Sequence, residues 1–247
     1  MIEARNVSKI YGTQKALDKI NLTINDGEFL VIMGPSGSGK STTLNLFAGI
    51  DQPTSGEINI DGTNIANMKQ KELELFRQKK MGFIFQDYHI LNSLNATENI
   101  VLPLIIQKVK RKEIDLRLKT ISKELGIEKL LDKPVYQLSG GEKQRVAIAR
   151  ALITKPEIVY ADEPTGALDS KNAHNLLKIL EYQNIEHHQT MMMVTHDAFS
   201  ASFGSRVIFI KDGKLFKEIK KNNASRKAFY EAIIKITTEL GGDLDVI

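Results

Sequence analysis

The 247-residue chain contains no cysteine. Disulfides and thiolate-ligated metal sites are excluded, and the composition suits a reducing compartment. Long apolar runs are missing too. The longest, Ile100 to Ile106, is interrupted by Pro103 and is far too short to cross a bilayer. The opening residues, Met1-Ile2-Glu3-Ala4-Arg5, lack the apolar core of a secretion signal. Work at a membrane would therefore need another chain to do the spanning. A net charge of only +4 makes no electrostatic case for nucleic acid or an anionic surface. Internal repeats and low-complexity tracts are absent. What remains, 42% apolar and 26% charged residues, is ordinary for a globular protein long enough for one or two domains and a sizeable core.

The most informative stretch runs from Phe29 to Thr43. Phe29-Leu30-Val31-Ile32-Met33 reads as a buried strand, too short for a helix. It leads into Gly34-Pro35-Ser36-Gly37-Ser38-Gly39-Lys40-Ser41-Thr42, which matches G-x-x-x-x-G-K-[ST] without mismatch. The glycines let the backbone curl so that successive N–H groups point at phosphate oxygens. A helix starting near Lys40 adds the positive end of its dipole. Lys40 supplies a mobile charge for the β- and γ-phosphates, and the Ser41 hydroxyl is placed for Mg²⁺.

Elsewhere strands alternate with helices. Strands are expected at Ile2 to Val7 and within Ala16 to Ile24, with Tyr11 in the loop between them. Others are expected at Glu57 to Ile60, Gly82 to Phe85, Ile158 to Ala161 and Thr190 to Thr195, with a hairpin over Arg206 to Ile219. Helices are expected at Lys69 to Lys79, Leu138 to Leu152, Lys171 to Gln183 and Ala198 to Phe203. Between about residues 88 and 138 strand signals vanish, and Ile114, Leu118, Ile121 and Leu125 recur at helical spacing. This marks a helical subdomain inserted into an α/β body. At its start Lys108-Val109-Lys110-Arg111-Lys112 reads as a solvated helix start, with a membrane or nucleic-acid contact as the alternative. Phe229, Ile233, Ile236 and Leu240 form one face of a helix in a tail, residues 221–247, ending at Gly241-Gly242. The alternation predicts a mainly parallel sheet, with its site at the carboxyl ends of the strands. Lys40, Glu163 and His196 fall there.

Asp162 and Glu163 close an apolar strand. Adjacent acids on a strand end are expected to point to opposite sides. Asp162 suits Mg²⁺, and Glu163 suits orienting and deprotonating a water for attack on the γ-phosphate. His187 and His188 carry no motif and read as solvated loop residues.

Leu138-Ser139-Gly140-Gly141-Glu142, continuing Lys143-Gln144-Arg145, resembles the signature of ATP-binding-cassette (ABC) ATPases, and the other motifs follow in that family's order over residues 1–220. The resemblance implies a P-loop α/β fold with N-terminal antiparallel strands, and ATP and Mg²⁺ as ligands. It makes Tyr11 the aromatic that stacks on adenine and Gly34 to Thr42 the phosphate loop. Gln86 would contact Mg²⁺ and sense a membrane subunit. Asp162 would hold Mg²⁺ with Ser41, and Glu163 would be the catalytic base. Asp169 would communicate across a dimer, and His196 would contact the γ-phosphate. Ser139, Gly140 and Gly141 would cover ATP on a second copy, so a homodimer forms two composite sites.

Two classes compete: the ATPase subunit of a membrane transporter, and a soluble chromosome-maintenance or repair ATPase. The latter usually inserts a long coiled coil between phosphate loop and signature, whereas only about a hundred heptad-free residues intervene here. The stretch Ala161 to Asp169 resembles macrolide exporters, lipoprotein-release systems and the cell-division cassette. Val194 to Ala201 and the tail from Leu240 to Asp243 look most like the branch that confers resistance to bacitracin and other cell-wall-active peptides. That resemblance implies a cassette at the cytoplasmic face of the membrane. It would power a large permease that also signals to a sensor kinase, without nucleic acid. The runner-up is a cassette that gates a cell-wall enzyme, releases lipoproteins or serves macrolide efflux.

Overall fold

A computed structural model describes residues 1–240. In chain order the first half comprises β1 (Ile2–Tyr11), β2 (Gln14–Ile24), β3 (Phe29–Met33), α1 (Lys40–Phe47), β4 (Ser55–Ile60), β5 (Thr63–Asn64), α2 (Gln70–Lys80) and β6 (Met81–Phe85). A helical stretch follows, with α3 (Ala96–Ile106), α4 (Arg111–Glu124) and short 3₁₀ turns before α5 (Gly140–Leu152). The remainder is β7 (Ile158–Asp162), α6 (Ser170–His187), β8 (Thr190–Val194), α7 (Ala198–Ala201), β9 (Arg206–Lys211), β10 (Lys214–Lys220) and α8 (Arg226–Leu240).

Six strands form one sheet in the order β10-β9-β3-β8-β7-β6, parallel except for the β9–β10 hairpin at the edge. The second sheet, β2-β1-β4-β5, is antiparallel. The apolar runs are continuous because the large sheet is buried on both faces. In β3, Phe29, Val31 and Met33 join the core under α5 to α8, while Leu30 and Ile32 join the core shared with α1 and the antiparallel sheet. β7 divides the same way: Val159 and Ala161 face one layer, Ile158 and Tyr160 the other. Period-two side-chain alternation thus sorts one apolar run into two cores.

Tyr160 ties these layers together. It is fully buried, and its hydroxyl donates to the Phe47 carbonyl at 2.7 Å, satisfying the end of α1. Tyr160→Phe leaves that carbonyl unpaired. The expected cost is about 1–2 kcal/mol, read as a fall in Tm of roughly 2–8 °C. An unchanged Tm would show the bond to be neutral.

Three local expectations differ. Tyr11 lies not in the loop but at the end of β1, paired with Gln14, because the turn needs only Gly12 and Thr13. α6 continues past Gln183 through His187, and His188 closes it in the left-handed conformation at φ 51°. His187 is thus helical, its ring edge-on to Tyr182, which no motif signalled. The apolar face of α8 is buried as the spacing predicts, against α7 among other elements. The expected stop at Gly241-Gly242 lies outside the described residues.

Candidate nucleotide site

The parallel register brings three strand ends together. Ile32 of β3 and Asp162 of β7 both pair with Val194 of β8. Backbone bonds carry the alignment past the strands: Glu163 N–H donates to the Val194 carbonyl at 3.0 Å, and Thr195 N–H to the Ile32 carbonyl at 3.1 Å. The loop after β3, the acids ending β7 and His196 after β8 therefore share one edge of the sheet.

The phosphate loop is shaped by two glycines for different reasons. Gly39 caps α1 at φ 104°, a conformation L side chains avoid, and a Cβ there would lie 2.7 Å from the Ala16 carbonyl and from Leu17. At Gly34 a Cβ would collide with the Ile210 carbonyl of β9. Between them Pro35 presents its carbonyl to Lys40, whose Nζ donates to it at 2.9 Å. Ser38 is buried, with its hydroxyl unpaired among the described residues. Lys40 itself is buried, which pulls its pKa down against the opposing charges of Glu163 and Asp162.

A cavity of about 560 Å³ opens over this loop, lined by Ser36, Gly37, Gly39, Lys40, Ser41 and Thr42, with Tyr11 and Glu163 at its sides. Tyr11 is half exposed and donates its hydroxyl to Asp51 at 2.6 Å, which fixes a ring face beside the loop. Burial and the charge of Glu163 push the Asp162 pKa up, while Lys40 and the Ser41 hydroxyl oppose the shift. A carboxylate under-compensated beside a hydroxyl is a set of hard oxygen donors, which fits Mg²⁺.

Strand alternation does not set the direction of Glu163. β7 ends at Asp162, and Glu163 turns into the left-handed region at φ 43°. Both charges bear on Lys40. The Glu163 carboxylate also meets His196 Nδ1 at 2.8 Å, with His196 largely exposed.

Other candidate residues lie apart from the loop cavity. Gln86 packs on Gly166, where a Cβ would come within 2.9 Å of its amide nitrogen. Asp169 caps α6 by accepting from the Lys171 and Asn172 N–H groups at 3.0 Å each. Ser139 caps α5, exchanging hydrogen bonds with Glu142. Gly141 fits against Asn172, whose amide oxygen a Cβ would approach within 2.6 Å, so the starts of α5 and α6 are in contact. The signature residues Ser139 to Gly141 do not line the loop cavity of their own chain.

Two supporting side chains had no role assigned from the sequence, although Gln144 lies within the signature stretch. Arg150 donates to the Tyr88 and His89 carbonyls at 2.8 and 2.6 Å, clamping the segment after Gln86 onto α5. Gln144, buried in α5, donates to the Pro164 carbonyl at 2.9 Å, joining the signature helix to the residue after Glu163. Gln144 is signalled by its place in the signature, whereas Arg150 is signalled only as a charged residue beside apolar positions of the same helix.

A family model described as ABC transporter matches residues 17–166. The chain belongs to the ABC transporter family. It is similar, at 48% identity over 246 residues, to the bacitracin export ATP-binding protein BceA of Halalkalibacterium halodurans, covering 98% of this chain and 97% of that one. It is 42% identical to the lipoprotein-releasing system ATP-binding protein LolD of Bacteroides fragilis, over 87% of this chain and all of LolD. Among solved structures it resembles the ATP-binding cassette MJ0796, a dimer in a post-hydrolysis state bound to ADP and Pi. The TM-score is 0.81 and the identity 42%, over 89% of this chain and 98% of that one. The ABC cassette described here is an ATP-binding ATPase subunit of a transporter, and its two sheets and helical stretch are the cassette fold. No helix among the described residues is long and apolar enough to cross a membrane.

Proposed function

We propose that this ABC cassette powers a separate membrane permease that exports or detoxifies cell-wall-active antimicrobial peptides such as bacitracin. The observation that carries this reading is the 48% identity to a bacitracin export cassette, sustained over nearly the full length of both chains. The lipoprotein-release and macrolide-efflux readings are the alternative, supported by relatives at 42% identity.

At the site, Gly34 to Thr42 cradles the triphosphate, Lys40 balances its charge, and Tyr11 offers a ring face to adenine. Ser41 and Asp162, with Gln86 after closure, would hold Mg²⁺, which supplies charge neutralisation at the β- and γ-phosphates. Glu163 orients a water and takes its proton, and His196, bonded to that carboxylate, holds it in place and reaches the γ-phosphate. Ser139, Gly140 and Gly141 of a second copy, at a helix N-terminus, close over the same phosphate, while Asp169 relays closure between copies. The permease has a groove to grip beside Gln86, where Phe83, Phe85, Leu102 and Ile106 line about 460 Å³ between α2, β6 and α3. A cassette bound there works at the cytoplasmic face of the membrane, and any sensor kinase would be reached through the permease.

The test is co-purification from the native host, followed by ATPase assay of the complex in lipid. The expected result is a permease with a large extracellular domain and phosphate release that rises when bacitracin is added. Stimulation by a lipoprotein or a macrolide, with none by bacitracin, would assign the chain to the alternative branch.

A further inference from the structure

The tail helix α8 has no part in the nucleotide chemistry described above, yet it is anchored beside the two helices that directly follow His196 and Asp169, α7 and α6. Its first residue, Arg226, sets its guanidinium over the Phe203 ring at 3.9 Å and pairs with both carboxylate oxygens of Glu181 on α6 at 2.5 Å. Lys221 Nζ lies 3.8 Å from the same carboxylate. Phe203 is buried and stands edge-on to Phe199 of α7 at 5.5 Å and to His174 of α6 at 5.8 Å, and Phe199 and His174 lie 5.8 Å apart. Three rings and a guanidinium thus form one cluster between α6, α7 and α8.

That cluster reaches the reacting end through two short links. Phe199 lines a cavity with Glu163, His196 and Leu168. Asp197, next to His196, caps α7 by accepting from the Phe199 and Ser200 N–H groups, and the Ser200 hydroxyl meets Thr165, two residues after Glu163, at 3.1 Å. α7 is a single turn, too short to hold its direction by its own hydrogen bonds. Its orientation, and with it that of His196, depends on what packs behind it.

We propose that Arg226 is a positioning residue for hydrolysis: by clamping Phe203 it sets α7 and holds His196 in register with Glu163. The tail helix is then a brace on the hydrolytic pair, acting on turnover and not on nucleotide capture, since neither Arg226 nor Phe203 borders the phosphate-loop cavity. The inference rests on the reading that His196 and Glu163 carry the hydrolysis step.

The test uses the full chain with ATP and Mg²⁺, measuring kcat and KM for phosphate release together with thermal unfolding. For Arg226→Gln, kcat is expected to fall about tenfold with KM within about twofold, because a small displacement of a catalytic group costs rate before binding. Arg226→Lys, which keeps a cation over the ring and beside Glu181, should recover most of the loss. Phe203→Leu should reproduce the fall, and the double variant Arg226→Gln with Phe203→Leu should fall no further, since both remove the same contact. Lys217→Gln, which breaks the exposed Lys217–Glu239 pair at the other end of α8, should leave kcat unchanged. An unchanged kcat in Arg226→Gln, additive losses in the double variant, or an equal loss in Lys217→Gln would each overturn the proposal. His196→Ala separates it from the reading beneath it. Turnover retained in that variant overturns the assignment of the pair itself, whereas turnover lost there but kept in Arg226→Gln overturns only the brace.

Discussion

Glu163→Gln is expected to lower phosphate release by roughly 10²- to 10⁴-fold, the usual worth of a positioned general base, while leaving ATP binding intact. The substitution keeps the shape of the side chain and an oxygen for the 2.8 Å contact with His196 Nδ1. What it removes is the ability to take a proton and one negative charge. That charge lies in a site where Asp162 is already lifted in pKa by burial and by Glu163 itself. Removing it relieves repulsion toward the γ-phosphate, so ATP should hold two copies together instead of being consumed. The measurement is native mass or light scattering with ATP and Mg²⁺: a stable dimer of the variant, and a transient one of the unaltered chain. Normal turnover in the variant would remove Glu163 from the base role.

The second large effect is expected at Lys40. Lys40→Met retains most of the apolar stem but leaves Asp162 and Glu163 facing the triphosphate without their buried cation. Loss of a charge-assisted interaction worth about 1.5–3 kcal/mol corresponds to a roughly ten- to hundredfold weaker ATP affinity. Titration with a fluorescent ATP analogue measures it directly. The fold should survive, because the side chain of Lys40 makes one hydrogen bond among the described residues, to the Pro35 carbonyl. Affinity within twofold of the unaltered chain would show that the backbone N–H groups suffice.

The two predictions differ in how far sequence alone could take them. Lys40 is legible because everything it needs is contiguous: the strand before it, the glycines beside it and the helix it starts. Glu163 was legible as a carboxylate at a strand end, but not in its direction. Its left-handed backbone, at φ 43°, carries no residue signal, since glutamate gives no hint of that conformation. The strand rule behind the expectation for Asp162 and Glu163 therefore stops at Asp162, where β7 ends. The end of α6 was misjudged on similar grounds. Gln183 to His187 has weak periodicity, and the helix persists because Gln183 is buried and Asn184 bonds the Gly27 carbonyl at 2.8 Å, 157 residues away.

By itself the sequence determined the alternation of strands and helices, the phosphate loop, the capped signature helix and the apolar face of α8. Each of these is set by spacing, by cap chemistry or by glycine within a dozen residues, so local physics suffices. Only the tertiary structure decided which of those pieces meet. It set Gln86 on Gly166, Arg150 on the Tyr88 and His89 carbonyls, and Arg226 on Phe203. Such contacts depend on the order and register of the parallel strands, which are joined through long crossovers. No periodicity within one segment records which distant segment it will face.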